Sequence, residues 1–217
     1  TQHSVKQLQE VGIQPDILVL RTEHQLSVDL RRKVALFCNV EPDAVIQSID
    51  VPSIYEVPLK MQEQKLDEIV LRKTGMEIGP RPELKPWREF LAHMQNAKDT
   101  VRIGLVGKYV ELQDAYKSIN EALFQAATYN NRKLDLQYIH SEKLTESNVE
   151  EKLSSMDGLI IAPGFGQRGV EGKFVALKYA REHDMPTFGI CLGMQCMVIE
   201  YARDVLGYKD ANSTEMD

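Results

Sequence analysis

Cysteine is scarce in this sequence. Its three residues, Cys38, Cys191 and Cys196, form no C-x-x-C pair and no metal-ligand spacing. That pattern excludes a disulfide scaffold and a zinc ribbon, leaves no metal site to expect, and points to a reducing, cytoplasmic setting. A basic excess is also missing. Lys and Arg number 26 against 32 Asp and Glu, a net charge of −6 that gives no support to a nucleic-acid surface. No apolar run is long enough to span a bilayer, and no signal-peptide pattern opens the chain, so no membrane partner is expected. No Gly-x-x-x-x-Gly-Lys-[Ser/Thr] occurs, so the phosphate cradle of a P-loop is absent from these residues. Neither a repeat nor a low-complexity tract is visible. What is present is 43% apolar residues over 217 positions, enough for one large core or two smaller ones.

Those apolar residues fall in a strand–helix rhythm that runs twice. Residues 2–11 read as a short amphipathic helix ended by Gly12 and Pro15, and residues 16–20 as a continuous apolar strand of the parallel-sheet kind. Ser27 is placed to cap a helix to about Cys38, with Leu30, Val34 and Phe37 on one face. Residues 44–49 form the next strand, and a helix follows Pro58. Gly75, Gly79, Pro80, Pro82 and Pro86 then break the pattern with the composition of a linker, which predicts a boundary across residues 75–98. Strands at 101–106, 133–139, 158–162 and 186–190 alternate with helices after it. The chain therefore reads as α/β with mainly parallel sheets in two domains, 1–74 and 99–217.

The last strand carries the most informative pattern, Gly189-Ile190-Cys191-Leu192-Gly193. A nucleophile between two glycines, at the point where a strand turns sharply into a helix, is the elbow of a hydrolase. Side chains at the glycine positions would crowd that turn. Unpaired amides at a helix N-terminus favour a thiolate and an oxyanion. Cys191 is the candidate nucleophile, against the plainer alternative of a buried cysteine closing a core strand. Met194, Val198, Tyr201 and Val205 share helical spacing behind it and predict its buried face, with Gly207 as the stop. An oxyanion hole needs two converging donors. The amides of Leu192 and of Gly164, in the glycine-rich turn Pro163-Gly164-Phe165-Gly166, are the candidates.

Together with Ala211-Asn212-Ser213-Thr214-Glu215, Gly107-Lys108-Tyr109 and Asp114-Ala115-Tyr116-Lys117-Ser118, these motifs resemble the class I glutamine amidotransferase domain of the CTP synthase family. The first half agrees through Thr1-Gln2-His3-Ser4-Val5-Lys6, Gly12-Ile13-Gln14-Pro15-Asp16, residues 33–40 and Val51-Pro52-Ser53-Ile54-Tyr55, which look like the end of that family's synthetase domain. The resemblance implies a P-loop-type synthetase fold joined to a flavodoxin-like amidotransferase fold, both incomplete here. It implies amination of UTP to CTP, with ATP activating the uracil oxygen and ammonia coming from glutamine by way of a cysteine thioester. Leu192, Gly193, Met194 and Gln195 would line the glutamine site, and Glu215 would hold the substrate ammonium. Thr1, Gln2 and Lys33 would bind UTP or CTP, and Ile49, Asp50 and Val51 would contact adenine. ATP with Mg2+ as cofactors, GTP as activator, CTP as feedback inhibitor and a homotetramer are likewise implied.

Both ends of the chain look cut. The resemblance puts the P-loop and the magnesium carboxylates before Thr1 and a catalytic His and Glu after Asp217, so the chain by itself is expected to be inactive. Ala162-Pro163 also stands where many relatives have Pro-Gly. Two other readings stay open on the residues alone. One is a different class I amidotransferase or cysteine hydrolase, and the other is a binding module that keeps an inert elbow. By themselves, Lys33 reads more often as a lysine lying along a core edge, and Glu215 by default as a solvated acid.

Overall fold

Apolar strands alternate with helices twice over in the computed structural model, which describes residues 1–216. Asp217, the last residue of the expected second domain, lies outside the described residues. Two units result, Thr1–Lys85 and Pro86–Asp217.

In the first unit, helix α1 (Gln2–Glu10) precedes strand β1 (Leu18–Thr22), helix α2 (Val28–Cys38) and strand β2 (Val45–Ile49). β1 and β2 pair in parallel from Leu18↔Val45 to Thr22↔Ile49. β1 starts two residues later than expected and alternates, with Leu18 buried and Val19 exposed, because one of its faces lacks cover among the described residues. Ser27 caps α2 as expected, its Oγ accepting from the Leu30 amide at 3.2 Å, a bond worth about 1 kcal/mol. The buried face of α2 overlaps the expected one only at Val34, which packs against the core. Ala35 and Cys38 pack with Val5, Leu18 and Val45, while Leu30 and Phe37 are exposed. The helix expected after Pro58 is two helices, α3 (Val57–Glu63) and α4 (Leu66–Lys73). They divide where Lys65 adopts a left-handed φ of 60°. Buried Gln47 ties this unit together. Its amide N–H donates to Gln64 Oε1 at 2.8 Å, its Nε2 to Thr22 Oγ1 and the His24 carbonyl, and its Oε1 accepts from the Leu26 amide.

The second unit opens with helix α5 (Lys85–Asn96) and strand β3 (Asp99–Gly107). Helix α6 (Lys117–Tyr129), strand β4 (Arg132–His140), helix α7 (Val149–Leu153) and strand β5 (Gly158–Ile161) follow. Helix α8 (Val170–Glu182), strand β6 (Thr187–Gly189) and helix α9 (Leu192–Asp204) complete it. The order β4-β3-β5-β6 is parallel throughout. β5 is buried on both faces, as the period-two geometry of a central strand requires. Leu159 and Ile161 join a core with Leu177, Leu192, Cys196 and Ile199, while Ile160 joins Leu105, Tyr116 and Ala162 on the opposite side.

β6 departs from expectation. It is shorter, it lies at the sheet edge among the described strands, and Phe188 is 63% exposed. α9 departs further: Met194, Val198, Tyr201 and Val205, the face expected inside, are all exposed, and Leu192, Gly193, Cys196, Ile199 and Glu200 are buried instead. No described helix is long and apolar enough to cross a membrane.

Candidate active site

Sheet, turn and helix meet at Cys191, the residue on which α9 starts. Its backbone holds φ 52° and ψ −112°, outside the regions an L-residue prefers, and its side chain is exposed. The surroundings enforce the conformation. Before it, the Ile190 amide donates to the Ile161 carbonyl at 3.0 Å, continuing the β5 ladder. After it, the Gly193 amide donates to the Ile190 carbonyl at 2.8 Å and the Gln195 amide to the Cys191 carbonyl at 3.1 Å. Both flanking glycines are required by volume. A Cβ on Gly189 would stand 2.6 Å from the Gly193 carbonyl carbon, and one on Gly193 would overlap the Ile161 carbonyl oxygen.

The second glycine turn leaves the end of β5, the strand beside β6. Gly164 is buried, and a Cβ on it would face Leu192 Cδ2 at 3.6 Å and Lys108 Cε at 3.4 Å. The turns bearing the two candidate oxyanion amides are therefore neighbours at the C-terminal edge of the sheet, where ligands bind in open parallel α/β folds. Lys108, at the end of β3, is itself buried and donates its Nζ to the Phe165 carbonyl.

Gln195 and Glu215 are brought together as well. Gln195 Nε2 donates to Glu215 Oε2 at 2.7 Å, and Ser213 Oγ donates to Gln195 Oε1 at 2.6 Å. Gln167 donates its Nε2 to the Met216 carbonyl, which fastens the same terminal turn to the glycine-rich loop. Met194 and Glu215 are exposed, whereas Leu192 and Gly193 are buried and offer backbone only.

In the first unit, Gln2 and Lys33 line one cavity of about 390 Å³ with Leu30, Val34, Phe37 and Cys38. The apolar α2 residues that miss the core thus form this cavity's wall. Thr1 borders a different one, about 560 Å³, against β1. Ile49 lines a third of about 320 Å³ with Arg31, Gln47 and Lys60, at the C-terminal end of β2. Asp50 next to it accepts from Arg21 Nε at 3.0 Å, and its amide donates to the Thr22 carbonyl. Val51 is half-buried beyond that strand end.

Sequence reasoning missed several of these residues. Arg31 is half-buried, and its Nε has no hydrogen-bond partner among the described residues. Buried Lys173 gave no signal, since a lysine is solvated by default, and Lys108 stood only within the Gly107-Lys108-Tyr109 motif with no role of its own. Ser213 stands in the Ala211–Glu215 motif, where nothing in the sequence marks it as the partner of Gln195. Among the described residues no group of three or more His, Cys, Asp or Glu could hold a metal ion. The Mg2+ implied by the resemblance therefore has no fitting ligand set among the described residues.

Comparison with known proteins bears on both units. The model of the CTP synthase N-terminus matches residues 1–76, and that of class I glutamine amidotransferase matches residues 111–216. CTP synthase of Porphyromonas gingivalis is 71% identical over 217 residues, covering all of this chain and 40% of that protein. CTP synthase of Bacteroides fragilis is 67% identical over the same length, 100% of this chain and 41% of its own. The chain thus spans about 40% of the length of these curated relatives. Among solved structures, the glutaminase domain of Trypanosoma brucei CTPS with bound acivicin superimposes with a TM-score of 0.51 at 40% identity. That match covers 54% of this chain and 46% of the other.

Proposed function

Because the chain belongs to the CTP synthase family, we propose that its second unit releases ammonia from glutamine and that its first unit helps bind the UTP that receives it. The observation that carries the reading is the strained, exposed Cys191 at the start of α9, beside the turn of buried Gly164.

Cys191 Sγ attacks the side-chain amide carbon of glutamine, and the carbonyl π pair moves to oxygen. The Gly164 and Leu192 amides face the resulting oxyanion. Its collapse expels ammonia and leaves a thioester, which water then hydrolyses to glutamate. In the longer protein a histidine takes the thiol proton and passes it to the departing nitrogen. Leu192, Gly193, Met194 and Gln195 border the substrate, and Glu215, already oriented by Gln195, holds its ammonium.

On the nucleotide side, Gln2 and Lys33 are suited to a pyrimidine nucleotide by their shared cavity, where an exposed ammonium meets a partly apolar wall. Thr1 serves the same nucleotide from the neighbouring cavity, which shares Leu30 and Val34 with it, and Ile49, Asp50 and Val51 contact adenine at the β2 end. The longer protein uses ATP with Mg2+, is activated by GTP, is inhibited by CTP and acts as a cytoplasmic homotetramer. ATP supplies the phosphoryl group that converts the uracil oxygen into a leaving group.

The test uses a longer protein containing this chain. Cys191→Ala should abolish CTP formation from glutamine and leave formation from added ammonia intact. Loss of both activities in a folded protein would remove the division into two sites, and loss of neither would make Cys191 structural.

A further inference from the structure

Lys173 lies in the middle of α8 and is 1% exposed. Its helix neighbours Val170, Ala176 and Leu177 all belong to the main core of this unit. A lysine is rarely buried this fully without a specific partner. Here Nζ donates to the Ala162 carbonyl at 2.7 Å. Ala162 stands between the end of β5 and the Pro163-Gly164 turn. Beyond the turn, Lys108 grips the Phe165 carbonyl from the end of β3. Two buried lysines on two different elements thus hold the carbonyls on either side of Gly164.

The stretch between those carbonyls has little else to fix it. Gly164 has no side chain to pack, and Pro163 has no N–H to donate, although its ring does lock φ. With the Ala162 carbonyl held and the Pro163 φ set, few rotations remain to reorient the Gly164 amide.

We propose that Lys173 is a positioning residue for glutamine hydrolysis, aiming the Gly164 amide at the oxyanion by gripping the Ala162 carbonyl. This rests on the reading of Cys191 as nucleophile and Gly164 as donor. The electrostatics agree with a group set inside the site and not merely beneath it. Burial lowers the Lys173 pKa, the nearby Lys108 charge lowers it further, and Cys196 and Cys191 oppose the change. Arg203 and Glu171 are further charges acting on Cys196 at the α8–α9 contact.

The test is Lys173→Met in the full-length protein, with a glutamine analogue carrying an aldehyde in place of the side-chain amide. Cys191 Sγ adds to the aldehyde carbon, the π pair moves to oxygen, and the thiol proton balances the adduct as a hemithioacetal. Binding of that adduct depends on the oxyanion donors, whereas glutamine binding does not. In Lys173→Met, kcat for glutamine-dependent turnover and affinity for the aldehyde should both fall by about tenfold or more. The KM for glutamine should stay within about twofold, since uniform binding is untouched. Ammonia-dependent synthesis should be unchanged. Lys173→Gln, too short to reach Ala162, should repeat these losses and serves if the methionine variant does not fold. Unchanged kcat and aldehyde affinity would overturn the role of Lys173, and so would an equal loss of ammonia-dependent activity. If the wild-type protein forms no adduct at Cys191 by mass mapping, the nucleophile reading falls first and this inference with it.

Discussion

Gln195 donates its side-chain N–H to Glu215 at 2.7 Å, joining the first turn of α9 to the terminal turn of the described chain. The same glutamine accepts from Ser213, so its amide orientation is fixed at both ends. Glu215 has a second carboxylate oxygen, which in the proposed glutamine site would meet the substrate ammonium. Glu215→Gln should therefore raise the glutamine KM by about tenfold or more, the loss expected for one charge-assisted contact, with kcat little changed. Steady-state kinetics with glutamine varied would show it. An unchanged KM would return Glu215 to a surface acid.

Gly193 cannot carry a side chain without moving the Ile161 carbonyl, which is part of the sheet. Gly193→Ala should destabilise the second unit by about 1–3 kcal/mol, the usual cost of overpacking. Urea unfolding would measure it. A variant as stable as the parent would mean that the elbow is not volume-limited.

Lys33 is exposed on α2, so Lys33→Ala should change stability by no more than about 0.5 kcal/mol. In the full-length protein it should weaken UTP and CTP together and leave glutamine hydrolysis intact, because Gln2 and Lys33 share one cavity in the first unit. Binding titrations with each nucleotide would separate this from a lysine that merely lies along the helix.

Cysteine labelling has an ordered outcome. Cys191 is exposed, whereas Cys38 and Cys196 are both buried. A glutamine-directed electrophile should modify Cys191 first, and peptide mapping against time would reveal the sequence of events. Reaction at Cys196 ahead of Cys191 would contradict the site.

Two buried groups give stability an alkaline pH dependence of opposite sign. Burial raises the Cys196 pKa from 9.0, so its contribution is fully present below that value and is lost as the pH rises through the raised folded value. Burial lowers the Lys173 pKa from 10.5, so its contribution is present above that value and is lost as the pH falls through the depressed folded one. Cys196→Ala should flatten the decline above pH 9, and Lys173→Met should lose ground to the parent as the pH climbs towards 10.5. Denaturant midpoints across that range would check both signs.

The elbow was legible in the sequence because its glycines stand at fixed offsets from Cys191, although only the clash of Gly189 with Gly193 acts within five residues and Gly193 answers to the Ile161 carbonyl at the end of β5. The parallel sheets were legible because apolar runs alternate with helical periods. Which side of a helix faces inward was not. α9 is apolar on more than one face, and Leu192, Cys196 and Ile199 recur at the same helical spacing as Met194, Val198 and Tyr201. Periodicity ranks neither set above the other; packing against Leu159 and Ile161 decides. On α2, likewise, the Ala35–Cys38 face fits closely against β1 and β2, a choice that residue size governs and hydropathy hides. Lys173 was invisible for a third reason. Its burial depends on a carbonyl that tertiary structure alone delivers.

The left-handed backbone at Cys191 has a bearing on how this fold tolerates change. A backbone of this kind costs on the order of 1–3 kcal/mol wherever the residue is not glycine. If Cys191 is the proposed nucleophile, Cys191→Gly would release that tension and erase the chemistry in one step, so a search for thermostable variants that ignores activity would select the inactive protein. Stability and hydrolysis pull this single position in opposite directions, and the more robust molecule would be the silent one.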